Sequence, residues 1–216
     1  MNVVEIFDSI DGEGIFAGQL ATFIRLAGCN LRCKYCDTGY ALKSDTGSEM
    51  PVNDIVSRVD EIRNKHITLT GGEPLIHKDV DRLIRMLLIL GYHINIETNG
   101  SIDIKPYLFD NVTITLDYKT PGSGEEDKML LDNWDSLRSC DTVKIVCYSE
   151  DLPGISKLLI SRKTKAQIFL SPVFGKIEPK ELVDFIKKMR DKHGIDNLRV
   201  QIQMHKYIWN PDERGV

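Results

Sequence analysis

The chain has 216 residues, of which 42% are apolar and 28% are charged, a composition typical of a globular protein with a substantial core. Its formal net charge of -4 argues against broad binding to a nucleic-acid backbone, which needs clustered Lys and Arg. The longest apolar run, residues 86–90, is too short to span a bilayer, and the first residues do not resemble a signal peptide. We therefore expect a cytoplasmic protein without membrane or nucleic-acid partners.

The predicted elements alternate between short strands and amphipathic helices. Apolar residues at helical spacing predict three helices, with Asn53 as the N-cap of the first and with Gly91 and Gly194 ending the other two. The predicted strands are β-branched runs bounded by turn residues, and they cover residues 21–26, 66–70, 93–97, 112–116, 143–147, 166–170 and 198–202.

This alternation predicts βαβ units and therefore an α/β fold with a mainly parallel sheet and right-handed crossovers. A complete eight-unit barrel typically needs about 250 residues, so the sequence predicts an abbreviated, partial barrel. The active site of such a barrel lies at the carboxyl ends of its strands. The unusual segments of this sequence follow predicted strands, at residues 29–36, 71–74, 98–100, 117–119 and 171–172.

Three of the five cysteines, Cys29, Cys33 and Cys36, crowd into eight residues, which is typical of metal binding rather than of a disulfide framework. Three thiolates can hold a four-iron cluster and leave one iron open to a ligand. A zinc knuckle and free thiols are the alternatives, although a structural zinc site normally has four ligands and the loop contains no His. Cys140 and Cys147 flank or end an apolar strand and are expected to be ordinary core or near-core residues.

The cysteine spacing, with Tyr35 before the last cysteine, is similar to the signature of radical S-adenosylmethionine (SAM) enzymes. The flanking sequence resembles the 7-carboxy-7-deazaguanine synthase family of that superfamily, and the resemblance covers essentially the whole chain. Its motifs are residues 5–14 (EIFDSIDGEG), 23–33 (FIRLAGCNLRC), 70–74 (TGGEP), 97–100 (ETNG) and 203–206 (QMHK).

The resemblance implies an enzyme of queuosine-precursor biosynthesis that converts 6-carboxy-5,6,7,8-tetrahydropterin to 7-carboxy-7-deazaguanine with loss of ammonia. It implies a single radical SAM domain over residues 1–216, with the cluster loop at 29–36 and a substrate-covering segment at about 198–216. The implied cofactors are a [4Fe-4S] cluster, SAM and Mg²⁺. The implied partners are a flavodoxin- or ferredoxin-type electron donor and a second copy of the chain in a homodimer.

The resemblance also assigns individual residues, with the cluster on Cys29, Cys33 and Cys36 and the Mg²⁺ on Thr38. The implied SAM contacts are Tyr35, Cys36, Asp37, Gly72, Glu73, Asn99, Asp117, Tyr118, Lys119, Ser171, Pro172, Val173 and Phe174. The implied substrate contacts are Ile10, Asp11, Gly12, Glu13, Arg25, Thr70, His205 and Val216. Two positions depart from the family pattern, because the family shows Gln in place of Asp11 and a small or apolar residue in place of Tyr118.

Several of these residues also have a plainer explanation. Arg25 lies in an apolar strand, where a charge needs a partner, and we expect it to bind the substrate carboxylate rather than form a structural ion pair. Glu13 is expected to accept from pterin N–H groups, with an exposed loop carboxylate as the alternative. Thr38 could instead be an N-cap, and His205 could be structural or exposed.

Two other functions share part of this pattern. An activase that generates a glycyl radical on a protein uses the same cysteine spacing, and a non-enzymatic zinc or iron–sulfur module also fits three cysteines. Arg25, Glu13 and the short C-terminal half favour a small polar substrate.

Overall fold

The computed structural model describes residues 1–216 and contains one nine-stranded sheet. The strands are β1 (Asn2–Ile10), β2 (Leu20–Leu26), β3 (Ser48–Glu49), β4 (His66–Gly71), β5 (His93–Thr98), β6 (Val112–Asp117), β7 (Thr142–Cys147), β8 (Gln167–Pro172) and β9 (Leu198–Val200). Their order is β3-β1-β2-β4-β5-β6-β7-β8-β9, parallel from β2 to β9, with β1 antiparallel to both of its neighbours. The two edges, β3 and β9, do not pair, so the barrel is partial.

Helices pack against one face of this sheet and form a single hydrophobic core with it. Ile67 and Leu69 on β4 belong to the same buried cluster as Leu83 and Leu87. The helices are α1 (Val52–Ile62), α2 (Val80–Ile89), α3 (Asn133–Ser136), α4 (Leu152–Ser161), α5 (Pro179–His193) and α6 (His205–Ile208).

The other face of the sheet is polar, although it is also buried. Thr68, Asn95 and Thr115 are each 3% exposed or less, and the Thr115 hydroxyl donates to Asn95 Oδ1 at 2.9 Å. Side chains alternate between the two faces of a strand, so the polar residues of β4 to β7 line the interior of the barrel.

The segment between β1 and β2 reaches across the open side of the barrel. Gly14 N–H donates to Gln201 Oε1 at 2.7 Å, and Met204 N–H donates to the Gly12 carbonyl at 3.2 Å. These bonds tie residues 12–14 to the chain beyond β9 and bring Glu13 toward the polar interior.

The predicted α/β fold with a mainly parallel sheet is confirmed, and all seven predicted strands are present. Strands β1 and β3 and helices α3, α4 and α6 were not predicted. The assignment of Asn53 as an N-cap is wrong, because α1 begins at Val52 after Pro51. Gly91 and Gly194 follow their helices with φ values of 78° and 64°, as the predicted helix ends require.

None of the helices is both long enough and apolar enough to cross a lipid bilayer.

Candidate active site

A cavity of about 680 Å³ lies at the carboxyl ends of the parallel strands. It is lined by the cluster loop, by residues that follow β4, β5 and β6, by the segment after β1 and by the end of the chain. All but four of the predicted site residues line this one cavity. The exceptions are Glu73, Tyr118, Ser171 and Pro172.

The three cysteines of the cluster loop all face the cavity. Cys29 Sγ lies 3.4 Å from the Leu31 amide and 3.8 Å from Asn99 Nδ2, which are donors suited to a thiolate. Burial raises the pKa of the Cys33 thiol to about 11, although Lys119 partly offsets this effect. Binding of iron must therefore displace the proton of the Cys33 thiol.

Hydrogen bonds from other loops fix the shape of the cluster loop. Arg32 N–H donates to Glu125 Oε1 at 2.7 Å, and Lys34 N–H donates to the Ser123 carbonyl at 3.0 Å. At the start of the loop, the Gly28 carbonyl accepts from Glu73 N–H at 2.8 Å.

Glu73, a predicted SAM contact, has a fully buried carboxylate and does not line the cavity. Glu73 instead accepts from Leu75 N–H at 3.0 Å, Thr98 Oγ1 at 2.8 Å and Asn99 N–H at 2.6 Å. Burial raises the pKa of Glu73 to about 7, while the three donors act in the opposite direction. Glu73 therefore ties the end of β4 to Asn99, which reaches Cys29.

Of residues 117–119, at the end of β6, two line the cavity and one does not. Lys119 Nζ lies 2.9 Å from Asp117 Oδ2, and both side chains face the cavity. Burial opposes ionisation of Asp117, but Lys119 and Lys144 lower the pKa of its carboxyl. Tyr118, also a predicted SAM contact, points into the core, where its ring packs on Trp134.

Of residues 171–174, at the end of β8, two line the cavity and two do not. Val173 and Phe174 line the cavity, whereas Pro172 is buried away from it. Ser171 is fully buried, and its hydroxyl donates to Glu13 Oε1 at 3.1 Å. Ser171 and Pro172, both predicted to contact SAM, therefore do not line the cavity. Tyr35, from the cluster loop, lines the cavity and donates to the Val146 carbonyl at 2.9 Å.

Thr38 and Asp37 lie at the cavity wall just after the last cysteine. The Thr38 hydroxyl donates to Asp37 Oδ1 at 3.0 Å and makes no capping bond to the turn that follows. Asp37 Oδ2 lies 3.6 Å from Lys206 Nζ. The surrounding protein opposes ionisation of Asp37, although its side chain is 47% exposed, but Lys206 and Lys144 lower its pKa to about 2. The pair therefore offers a carboxylate and a hydroxyl oxygen, the hard ligands that Mg²⁺ accepts.

Glu13 projects into the cavity from the segment between β1 and β2. Its Oε2 lies 3.1 Å from Lys144 Nζ and 3.3 Å from Gln203 Nε2, and its Oε1 accepts from Ser171. The Glu13 side chain is 9% exposed, so the alternative of an exposed loop carboxylate is wrong.

Arg25 also lines the cavity and already has a protein partner. Its Nε donates to Glu5 Oε1 at 2.7 Å, and the Tyr40 hydroxyl donates to the same oxygen at 2.9 Å. The two Nη nitrogens of Arg25 make no hydrogen bond within the chain. The ion pair considered as an alternative is therefore present, and two donors are still free to bind a carboxylate.

Asp11 lines the cavity, but its carboxylate is 2% exposed and bonded to the barrel interior. It accepts from Thr68 Oγ1 at 2.7 Å and lies 2.8 Å from His66 Nε2. Its neighbour Gly12 packs against His205, because an added Cβ would lie 2.5 Å from His205 Nδ1. Ile10, Thr70 and Val216 also line the cavity.

Sequence reasoning missed two charged residues that line the cavity, the half-buried Glu97 and the buried Lys144. Burial raises the pKa of Glu97, Lys144 partly offsets this effect, and the Thr70 hydroxyl donates to its carboxylate at 3.0 Å. Both residues lie in strands predicted from apolar neighbours, so a charge within an apolar run was the signal that could have found them.

Comparisons with known proteins identify the family to which the chain belongs. The model of the radical SAM superfamily matches residues 23–119, which include all three cysteines. A 7-carboxy-7-deazaguanine synthase of Clostridium acetobutylicum is 43% identical over 99% of this chain and 98% of the relative. One from Methanospirillum hungatei JF-1 is 38% identical over 98% of this chain and 86% of the relative. The chain belongs to the 7-carboxy-7-deazaguanine synthase family.

A solved structure has the same fold. The crystal structure of QueE from Escherichia coli matches with a TM-score of 0.72 and 23% identity, and the match covers 94% of each chain.

Membership in the radical SAM superfamily implies a [4Fe-4S] cluster and SAM. The residues present fit that requirement, because three cysteines on one loop face a cavity large enough for a nucleoside cofactor, and donors approach Cys29 Sγ. Cys29, Cys33 and Cys36 would hold the cluster. The alternatives of a zinc module and of a glycyl-radical activase are not supported by the family match.

Proposed function

We propose that the protein converts 6-carboxy-5,6,7,8-tetrahydropterin to 7-carboxy-7-deazaguanine with loss of ammonia, as the named relatives suggest. The observation that supports this most is that one cavity joins the three-cysteine loop to Glu13 and to the free guanidinium nitrogens of Arg25. An acceptor and an anion-binding donor pair that line one cavity suit a substrate with both N–H donors and a carboxylate.

The residues of the chain bind and orient this substrate. Glu13 accepts from the pterin N–H edge, and Arg25 binds the substrate carboxylate while Glu5 holds its Nε in place. Glu97 also lines the cavity, where burial raises the pKa of its carboxyl and the Thr70 hydroxyl donates to it. When bound, the cluster and SAM supply the radical chemistry.

The end of the chain covers the cavity and would exclude water from it. Residues 210–216 all line the cavity, and Arg214 Cζ lies 4.0 Å from the centre of the Tyr40 ring. For this reason we propose that residues 198–216 form a substrate-covering segment and that residues 1–216 form a single domain.

The proposal includes further partners. Mg²⁺ would be held by Thr38 together with substrate and water oxygens, and Asp37 would orient SAM or the metal-bound waters. A flavodoxin- or ferredoxin-type protein would supply electrons, two copies would form a homodimer, and a reducing cytoplasm would keep the three cysteines as thiols.

The test is an anaerobic assay of the reconstituted protein with dithionite, SAM, Mg²⁺ and the carboxy-tetrahydropterin, followed by mass spectrometry. We expect the deazaguanine product and one equivalent of ammonia. Cleavage of SAM with no pterin-dependent product would contradict the proposed substrate.

A second arm of the assay tests the Mg²⁺ site. Thr38→Ala should lose most of the stimulation of product formation by Mg²⁺ and should keep its iron content, because the hydroxyl is not a cluster ligand. An unchanged response to Mg²⁺ would place the metal elsewhere.

A further inference from the structure

Lys144 is a buried cation at the centre of the cavity, and it contacts two carboxylates from different parts of the chain. It is 8% exposed. Its Nζ lies 3.1 Å from Glu13 Oε2 and 3.4 Å from Asp117 Oδ2. The pairing of β6 with β7 places Lys144 directly beside Asp117, whereas Glu13 reaches Lys144 from across the barrel.

No other cation in the cavity pairs with Glu13. Lys119 lies against Asp117 at 2.9 Å, Arg25 is bonded to Glu5, and Lys206 faces Asp37. The remaining donors to Glu13, Ser171 Oγ and Gln203 Nε2, are neutral. A carboxylate removed from water needs a cation or several donors to stay charged, so Lys144 is the counter-ion of Glu13.

We propose that Lys144 is a positioning residue for the pterin: its ammonium holds the Glu13 carboxylate in the cavity and joins it to Asp117, on the side proposed for SAM. This inference rests on the proposed function and adds to it a residue that determines where the substrate binds. Lys144 acts through Glu13 and does not itself touch the reacting atoms. A fixed acceptor loses little entropy when the pterin donors bind it.

The direct test compares the pterin affinity of the SAM-bound, cluster-loaded protein with that of Lys144 variants, by anaerobic equilibrium dialysis and by steady-state kinetics. Lys144→Met should weaken pterin binding about 10- to 150-fold, the usual effect of losing a hydrogen bond to a charged group. KM should rise much more than kcat falls, and Lys144→Arg should restore most of the affinity. Lys128→Met is the control. It removes a lysine from an exposed ion pair with Asp127 and should change neither the pterin affinity nor the kinetic constants.

A double-mutant cycle shows whether Lys144 works through Glu13. Once Glu13→Gln has removed the carboxylate, adding Lys144→Met should cost little more affinity for the pterin. This comparison also stands if Lys144→Met alone fails to fold, because the double variant removes both charges together. Pterin affinity unchanged by Lys144→Met, or a further large loss in the double variant, would overturn the proposal.

The four proteins of this cycle, the wild type, the two single variants and the double variant, also distinguish a failure of this inference from a failure of the proposed function. A wild-type protein that neither binds nor converts the pterin would refute the proposed function. The coupling of Lys144 to Glu13 can then still be measured from a cycle of unfolding free energies, which needs no pterin. Strictly additive unfolding free energies would show that the two residues do not interact.

Discussion

Arg25 illustrates how one side chain can be both held by the protein and available to a ligand. Its Nε bonds to Glu5, and its guanidinium carbon lies 5.9 Å from the ring centres of Phe7 and Tyr40. These contacts limit its rotation and leave the two Nη nitrogens facing the cavity. A guanidinium fixed in this way loses little conformational entropy on binding a carboxylate.

We expect Arg25→Ala to weaken pterin binding by roughly 2–5 kcal/mol, or about 30- to 5,000-fold, the usual cost of removing one partner from a buried charge pair. Arg25→Lys should restore binding only in part, since an ammonium cannot form the bidentate contact. The affinities are measured with the cluster-loaded protein and SAM. Uncoupled cleavage of SAM should persist in both variants.

A pterin without the carboxylate provides the control for this experiment. It should bind the wild-type protein poorly and should lose much less affinity when Arg25 is changed. Equal losses for the two pterins would mean that Arg25 serves only to pair with Glu5.

Single charges in apolar strands could be read from the sequence, but their partners could not. Arg25 was identified as a site residue because it interrupts a β-branched run, and Lys144 interrupts residues 143–147 in the same way. Glu5 lies directly opposite Arg25 in the pairing of β1 with β2. Since β1 was not predicted, the ion pair could not be predicted from local sequence.

At the scale of elements, the end of β4 determines where the cluster loop begins. Gly72 N–H donates to the Leu26 carbonyl at 3.0 Å, and the next amide, of Glu73, donates to Gly28. A Cβ added to Gly72 would overlap the Gly28 carbonyl and would come within 2.8 Å of Cys29 N. Only glycine permits this approach of one backbone to another.

Gly72→Ala should therefore destabilise the protein by roughly 1–3 kcal/mol, the typical cost of overpacking, and should lower the iron bound after reconstitution. The measurements are chemical unfolding and iron per chain. Gly154→Ala is the control, because nothing lies within 4 Å of its added Cβ. Gly154 lies in the first turn of α4, where this change should stabilise the protein by at most about 0.5–1 kcal/mol. Normal stability and full iron content in Gly72→Ala would contradict the close approach.

The sequence was sufficient to predict the parallel strands, because their apolar runs and turn residues are local signals. Glu73 shows what it was not sufficient to predict. The TGGEP motif indicated a ligand-binding turn, yet the direction of the Glu73 side chain depends on Thr98 and Asn99 at the end of a neighbouring strand. Tyr118 likewise turns toward Trp134 because of core packing, which no short motif encodes.

At the scale of the whole molecule, the barrel interior is stabilised by a chain of buried hydrogen bonds at the end opposite the cluster loop. Asp11 bonds to His66, His66 Nδ1 lies 3.1 Å from His93 Nδ1, and His93 Nε2 lies 3.1 Å from the Thr113 hydroxyl. With both rings neutral, one arrangement satisfies every group: Thr113 donates to His93, His93 to His66 and His66 to Asp11. Phe16 covers both rings, with centroid distances of 4.4 and 5.2 Å.

This arrangement predicts how stability depends on pH. Burial lowers the pKa of His93, His66 lowers it further, and Asp11 offsets part of the change. The unfolded chain binds a proton at this residue at an ordinary pKa of about 6.5, so below that pH the unfolded state carries more protons than the folded state. The contribution of a neutral His93 is therefore fully present above about pH 6.5 and is lost as the pH falls.

The contribution can be measured by comparing the melting temperatures of the cluster-loaded wild type and of His93→Asn at several pH values. Asn is chosen because it keeps a hydrogen-bond donor near the position of Nδ1. The wild type should lose stability relative to the variant between pH 7.5 and 5.5. Other groups with shifted pKa values, such as His77, His205 and Glu73, are present in both proteins and cancel in the comparison. The exposed His193→Gln should follow the wild type at every pH. Parallel curves for wild type and His93→Asn would show that the buried histidine chain does not link protonation to the stability of the barrel.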